Sequence, residues 1–226
     1  MIRTVLFDLD GTILDTNELI FRSFEYVWER KGWTMVTRER LTPFMGGKLH
    51  DMFRETAGVA TDEEVDELIG IYREYNLKHH DALVKPFPHA KETMERLRSL
   101  GVRMGVVTTK IRKTSEMGLT LCGLYEYMDT IVTLDDVMNA KPHPEPVLKA
   151  VEALGADKAS TLMVGDSAAD LLAARAAGVR SAGVAWSIKS KEHLMRCEPD
   201  YWIEDLRELP SIVETGAGAA KEGRRP

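Results

Sequence analysis

Two carboxylates two positions apart, Asp8 and Asp10, stand at the end of the apolar run Val5-Leu6-Phe7 and just before Gly11-Thr12. On an extended chain, side chains two apart point the same way, so both acids can converge on one spot. Gly11 permits a sharp turn and the close approach of a ligand, and the amides around it can cradle an anion. Two acids repel an anionic substrate unless a divalent cation lies between them. An Asp-Gly pair is equally a common hairpin signal. Its meaning depends on what the rest of the chain brings to it.

Three later segments carry matching chemistry. Thr108-Thr109-Lys110 follows Gly105-Val106-Val107 and offers hydroxyls and a cation suited to a phosphate oxygen. Lys141 precedes Pro142-His143-Pro144, whose prolines stiffen the loop. An ammonium fixed there offsets the repulsion between an anionic nucleophile and an anionic phosphate. The attraction is about 4 kcal/mol before desolvation, at ~4 Å and an effective dielectric of roughly 20. Leu162-Met163-Val164-Gly165-Asp166 repeats the opening pattern, and Asp170 follows one helical turn later. Each segment has a plainer reading: a solvated strand end, a surface lysine opening a helix, N-capping by Asp166 or Ser167. Their joint occurrence, in order and at strand ends, is the signal.

The elements that must position these groups alternate. Strand-like runs cover residues 4–7, 103–108, 130–133, 161–164 and 181–184. Helical patterns occupy 90–100 before Gly101 and 168–177 before Gly178, and place Val147, Leu148, Val151 and Leu154 between Pro144 and Gly155. Short apolar strands alternating with helices predict an α/β fold, a parallel sheet covered on both faces. Right-handed crossovers then align the strand tips along one edge, where ligands bind.

Residues from about Thr16 to His80 break the alternation. Ile20, Phe24, Val27 and Trp28 share one helical face of 17–31, and Thr61-Asp62-Glu63-Glu64 offers a capping box before Val65, Leu68, Ile69 and Tyr72. A helical insert directly after the first strand loop is expected to sit over that tip as a lid. The acidic stretch 62–66 reads as a solvated face with charge favourable at a helix N-terminus. The expected organisation is an α/β core over 1–15 and 83–213, a helical cap over 16–82, and a loose Gly/Ala/Lys/Arg-rich tail over 214–226.

The 226 residues are 44% hydrophobic and 29% charged, an ordinary globular mixture. A net charge of −6 without any Lys/Arg-rich tract argues against a nucleic-acid partner. An anionic substrate must be attracted locally, since screening acts over about 8 Å at physiological salt. Cys122 and Cys197 are far apart and in no metal-binding spacing, which suits reduced packing thiols in a cytoplasmic protein. The apolar run 2–7 is too short for a signal peptide, and no run approaches the roughly 18 apolar residues of a membrane span. Nothing in the pattern demands an oligomer.

Taken together, Asp8-Leu9-Asp10-Gly11-Thr12, Thr108, Lys141 and Gly165-Asp166-Ser167-Ala168-Ala169-Asp170 resemble the four motifs of the haloacid dehalogenase superfamily of phosphohydrolases. The resemblance covers nearly the whole chain except the tail. Within the superfamily the chain looks closest to the phosphoglycolate-phosphatase-like branch. More narrowly, it is similar to bacterial pyrophosphatases linked to dephosphorylation of serine-phosphorylated HPr. That likeness runs through Thr16-Asn17-Glu18-Leu19-Ile20, His79-His80-Asp81 and their flanks over 72–84, Thr108-Thr109-Lys110, Val132-Thr133-Leu134-Asp135-Asp136-Val137 and Ala182-Gly183-Val184-Ala185-Trp186.

The resemblance implies a Rossmann-like core with a small inserted cap, and Mg²⁺-dependent hydrolysis through an aspartyl-phosphate. It implies Asp8 as nucleophile, Asp10 as general acid and then base, and Thr108 and Lys141 holding the transferring phosphoryl group. Gly11, Thr12, Thr109 and Lys110 are expected around the substrate. Mg²⁺ is expected on the Asp8 carboxylate, the Asp10 backbone carbonyl and Asp166, with Asp170 supporting the metal site or Lys141. Asp10 also discriminates: carbon–halogen cleavage needs no leaving-group protonation, so a second acid favours phosphoryl transfer.

Inorganic pyrophosphate is the leading substrate, and it calls for extra positive charge around its second phosphoryl group. Lys48 in Gly46-Gly47-Lys48, Lys110 and Arg112 are the candidates. The alternatives are phosphoglycolate or another small phosphomonoester, a sugar-phosphate mutase, and a silent phosphate-binding module. The turn at Lys48 departs from the proline-containing pattern of relatives, and His143 stands where relatives carry an acid. Adjacent residues on a helix face different directions, so His79-His80 reads as structural, near the cap hinge. Met94 and Met163 read as core.

Overall fold

The computed structural model describes residues 1–59 and 61–215. The chain runs Thr4–Phe7 (β1) and Leu14–Asp15 (β2), then Asn17–Lys31 (α1), Arg38–Leu41 (α2), Leu49–Ala57 (α3) and Asp62–Leu83 (α4). Lys85–Pro86 (β3) and Ala90–Ser99 (α5) lead into Arg103–Val107 (β4), Arg112–Leu121 (α6), Thr130–Val132 (β5) and Glu145–Ala153 (α7). Thr161–Gly165 (β6), Ala168–Ala177 (α8), Arg180–Val184 (β7), Lys191–Met195 (α9), Tyr201–Ile203 (β8) and Leu209–Thr215 (α10) follow.

Six strands form one sheet in the order β5-β4-β1-β6-β7-β8, and every neighbouring pair is parallel. β1 is buried along its whole length, as a strand covered on both faces must be. Val5 and Phe7 pack into one layer with Met94 and Leu97 of α5 and Leu209 and Ile212 of α10. Leu6 points the other way, into a layer with Val147 and Val151 of α7 and Ala173 and Ala174 of α8. This is the period of two of an extended chain between two helical layers. The five expected strands are all present with ends shifted by a residue or so. β8 is additional: three residues at the sheet edge are too short to show alternation.

The helices α1 to α4 carry an apolar cluster of their own. Phe24 meets Phe53 at 4.7 Å between ring centroids and Tyr72 edge-on at 5.2 Å, and Trp28, Val65, Leu68 and Ile69 complete it. The expected capping box holds α4, with the Thr61 side chain accepting from the Glu64 amide and the Glu64 carboxylate from Thr61. The insert leaves and re-enters the α/β layers side by side, where β2 and β3 pair antiparallel, Leu14 opposite Pro86 and Asp15 opposite Lys85. His80 is buried beside this crossing and bonds Asp81 through Nδ1 at 2.7 Å, while His79 stacks on Tyr75 at 4.1 Å.

Among the described residues no helix is long and apolar enough to cross a membrane. Both cysteines are free, and burial pushes the Cys122 thiol up to about 11 and raises Cys197 as well, as inert packing thiols require. Met94 and Met163 are fully buried. α10 takes in Glu214 and Thr215, the first residues of the expected tail; 216–226 lie outside the described residues.

Candidate active site

β1 sits where the sheet order reverses direction, with β4 on one side and β6 on the other. Ligands of such sheets bind at that reversal, outside the strand tips. Asp8 leaves β1, Thr108 leaves β4, Asp166 leaves β6, and Lys141 lies in the segment between β5 and α7. All four are buried.

Lys141 ties the cluster together. Its Nζ donates to Asp8 Oδ1 at 2.6 Å, to Asp170 Oδ1 at 2.6 Å and to the Val107 carbonyl at 2.7 Å. Asp170 in turn accepts from the Ser167 amide at 3.0 Å and the Ser167 hydroxyl at 2.6 Å, closing the capping box of α8. Ser167, not Asp166, is therefore the N-cap. Gly165 allows this packing, because a Cβ there would lie 2.3 Å from Asp170 Cβ. Asp8 Oδ2 accepts from the Thr12 hydroxyl at 3.2 Å.

One group of acids among the described residues is close enough to hold a metal ion: Asp8, Asp166 and Asp170 offer carboxylate oxygens within 4.8 Å of one another. Burial pushes the Asp8 carboxyl up to about 8, with Asp170 adding to the push and Lys141 opposing it. Burial also pushes Asp166 up to about 6 against the pull of Lys189. Burial acts to lower the Lys141 ammonium, but Asp170 and Asp8 outweigh it and hold it above its ordinary value. Gly11 makes the approach of Asp166 possible. At φ +88° it has no Cβ, and one placed there would stand 2.7 Å from Asp166 Oδ2.

Asp10 keeps its side chain outside the trio and accepts from Lys110 Nζ at 2.9 Å. Asp8, Asp10, Thr108, Thr109, Lys110 and Lys48 all border one cavity of about 470 Å³, walled on its other side by α1, α3 and α4. Lys48 precedes α3 in the turn that reaches this cavity. That turn is pinned to the α/β layers: the Thr109 hydroxyl donates to the Gly46 carbonyl at 2.9 Å.

Three expected binders are placed otherwise. Gly11 donates its amide to the Leu14 carbonyl at 2.8 Å and Thr12 spends its hydroxyl on Asp8, so both shape the nucleophile's loop and do not border the cavity. Arg112 is committed elsewhere, to Asp136 at 2.6 Å, Glu116 at 3.2 Å and the Ile131 carbonyl at 3.1 Å. Its carboxylate partners outcompete a weakly held role at the cavity. His143 Nδ1 accepts from the Glu145 amide at 3.2 Å and lies 3.9 Å from the Glu145 carboxylate.

The structure also brings in residues that sequence reasoning missed. Lys189 Nζ lies 3.3 Å from Asp166 Oδ2 and is almost wholly buried; Ser187, two residues earlier, donates to the Asp166 carbonyl at 2.7 Å. Tyr72, Arg73, His50 and Lys113 border the cavity. Tyr72 was legible only as a core position of α4, and Lys113 was three residues past a recognised lysine.

The family model described as haloacid dehalogenase-like hydrolase matches residues 5–184. The protein named Pyrophosphatase PpaX of Anoxybacillus flavithermus is 46% identical over 212 residues, covering 94% of this chain and 97% of that protein. Its namesake of Bacillus pumilus is 45% identical over 213 residues, covering 94% and 96%. Among solved structures, one from Bacteroides fragilis described as a haloacid dehalogenase-like hydrolase superposes with a TM-score of 0.88 at 28% identity, covering 92% of this chain and 100% of that one. With these matches spanning the strands and loops that carry the buried acids and Lys141, the chain belongs to the haloacid dehalogenase-like hydrolases.

Proposed function

We propose that this hydrolase cleaves inorganic pyrophosphate to phosphate through an aspartyl-phosphate on Asp8, with Mg²⁺, in the cytoplasm. The observation that carries the reading is the Asp8 carboxylate held at 2.6 Å by a buried lysine, on the floor of a cavity that Asp10, Thr108, Lys48 and Lys110 also border. The pyrophosphatase names of the relatives support the substrate. Two free cysteines suit a reducing compartment. Residues 1–15 and 83–213 act as the catalytic core in this reading, and 16–82 as its cap.

The residues fit a divalent metal. The donors are carboxylate oxygens, hard ligands of the kind Mg²⁺ takes, and among the described residues the buried trio Asp8, Asp166 and Asp170 is ion-paired with Lys141 and Lys189. Asp170, whose Oδ1 accepts from Lys141 and whose Oδ2 closes the α8 capping box, is read as the anchor of the lysine, with Asp8, Asp166 and the Asp10 carbonyl as the ligands. Bound there, the ion would neutralise the carboxylates and draw negative charge off the phosphoryl oxygens.

Asp8 attacks phosphorus in line, and the bond to the bridging oxygen breaks as Asp10 hands that oxygen a proton. Asp10 then takes a proton from water as the water attacks the acyl-phosphate phosphorus, releasing phosphate and restoring Asp8. Lys141 offsets the charge of nucleophile and phosphoryl group, Thr108 holds a phosphoryl oxygen, and Lys48 and Lys110 meet the second phosphoryl group. The cap excludes bulk water during the covalent step.

The test is phosphate release with Mg²⁺ and with EDTA, followed by kcat/KM for pyrophosphate, phosphoglycolate and β-glucose-1-phosphate. Metal-dependent turnover with pyrophosphate preferred is expected. A silent binding module shows no turnover. Phosphoglycolate preferred by tenfold, about 1.4 kcal/mol of transition-state discrimination, overturns the substrate assignment.

A further inference from the structure

A second cavity, of about 290 Å³, shares Met45, Gly47, Lys48 and Met52 with the one over Asp8 but is not bordered by Asp8, Asp10 or Thr108. Lys48, Lys141, Lys189 and His193 border it, against one acid, Asp51. Lys141 is committed to Asp8 and Asp170. Lys189 is the unusual member. Its side chain is only 7% exposed, and its ammonium has three protons to donate. Among the described residues that ammonium finds one acceptor, Asp166 Oδ2, at 3.3 Å. Charge-assisted bonds are ordinarily about 2.7–2.9 Å, so this contact is long. A buried cation with one long contact is undercompensated. Asp166 is also a ligand of the proposed metal site, and an ion there draws on the same carboxylate, leaving Lys189 with still less. An anion in the cavity that Lys189 borders would make up the difference.

We infer that this second cavity binds a phosphate ion apart from the one undergoing reaction, seated by Lys189 with Lys48 and His193. The cations and the cavity define the seat. The choice of phosphate rests on the proposed function, whose turnover releases two phosphates from each pyrophosphate. At about 30 Å³ for each water, 290 Å³ equals roughly ten waters, room for a phosphate that keeps part of its hydration. The net charge of −6 does not forbid an anion here, because screening confines attraction and repulsion to about 8 Å. Ala168 and Ala169, which open the ten-residue α8, also border the cavity, and the first amides of a helix have no partner inside it. They reinforce the seat without defining it. Metal and phosphate support each other: the ion takes up charge on Asp166, and the phosphate supplies Lys189 with the charge it has lost.

The experiment is equilibrium dialysis of radiolabelled inorganic phosphate against the full chain with Mg²⁺, repeated on Lys189→Met and Ala169→Glu. The second substitution puts a carboxylate into the cavity, and α8 tolerates it because acids suit the first turn of a helix. Two phosphates per unaltered chain are expected. Each substitution should weaken one of them by about tenfold or more, the loss of a charge-assisted contact, and keep the other. The phosphate that is kept shows that the variant is folded. A single phosphate per unaltered chain, or two that neither substitution weakens, overturns the inference. Pyrophosphate turnover with a single phosphate bound removes the second seat and leaves the proposed function standing. Two phosphates on a chain that does not turn over pyrophosphate uphold the seat and remove the pyrophosphate assignment.

Discussion

The ammonium of Lys141 lies 2.6 Å from Asp8 Oδ1, joining residues 133 positions apart at the floor of the site. The same nitrogen is 2.6 Å from Asp170, so one buried cation compensates two buried carboxylates. Removing one partner of a buried pair costs about 3–5 kcal/mol, because the remaining charge has no compensation. We predict that Lys141→Met lowers the melting temperature and cuts turnover by about a hundredfold or more, the loss of an electrostatic stabiliser. Thermal melts and steady-state rates check this. Near-normal turnover in a folded Lys141→Met preparation would contradict the role given to the lysine.

A pH dependence follows from the two raised carboxyls. Asp8 moves from 3.8 to about 8, and Asp166 from 3.8 to about 6. Between pH 4 and pH 8 the unfolded chain has therefore released protons that the folded protein still holds. Stability contributed by these groups is full below pH 4 and is lost as pH rises toward 8. A divalent cation binds the ionised, folded site and reverses the loss. Metal-free melts should fall across this window, less so in Asp8→Asn, and Mg²⁺ should raise the melting temperature more at pH 8 than at pH 5. A larger Mg²⁺ effect at pH 5 would rule the linkage out.

Gly11 leaves the room that Asp166 occupies beside the proposed metal site. An alanine there pays for φ +88° and drives a methyl to within 2.7 Å of Asp166 Oδ2. The left-handed conformation alone costs about 1–2 kcal/mol. Gly11→Ala should weaken Mg²⁺ binding by about tenfold or more, read by calorimetry on the metal-free protein, as displacement of a ligand demands. Unchanged affinity would mean that Asp166 does not hold the ion.

Lys48 and Arg112 separate by geometry. Lys48 borders the cavity, whereas Arg112 is bound up with Asp136 and Glu116. Lys48→Ala should lower kcat/KM for pyrophosphate by about 1–3 kcal/mol, one charge-assisted contact. Arg112→Ala should leave kcat/KM within about twofold, since its ion pairs serve the loop and are solvent-accessible. Equal effects of the two changes would remove Lys48 from the site.

The groups proposed to do the chemistry were legible because each ends an apolar strand or stands beside prolines. Asp8, Thr108, Lys141 and Asp166 meet because a parallel sheet sends its tips to one edge, and that follows from alternation alone. Asp170 was legible as a partner of Lys141, but its double duty as part of the α8 cap needed coordinates. Lys189 was hidden: it lies in an irregular segment between β7 and α9, with no periodicity to say that it turns back onto Asp166. Arg112 was misjudged because only the fold shows Asp136 arriving beside it. Tyr72 and Ile69 carry the same helical spacing whether they face the apolar cluster of α1 to α4 or the cavity, and they do both.

The most direct measurement is single-turnover hydrolysis of pyrophosphate in oxygen-18 water, repeated over many turnovers, with mass analysis of the peptide that holds Asp8. Water attacking the acyl-phosphate at carbon would put the label into the Asp8 carboxylate and send a carboxylate oxygen out with phosphate; attack at phosphorus returns both carboxylate oxygens unlabelled and puts the label in phosphate. The account therefore predicts labelled phosphate, an unlabelled Asp8 peptide, and, on acid quench during turnover, the same peptide heavier by one phosphoryl group. An Asp8 peptide that never carries the phosphoryl group while labelled phosphate accumulates would contradict it.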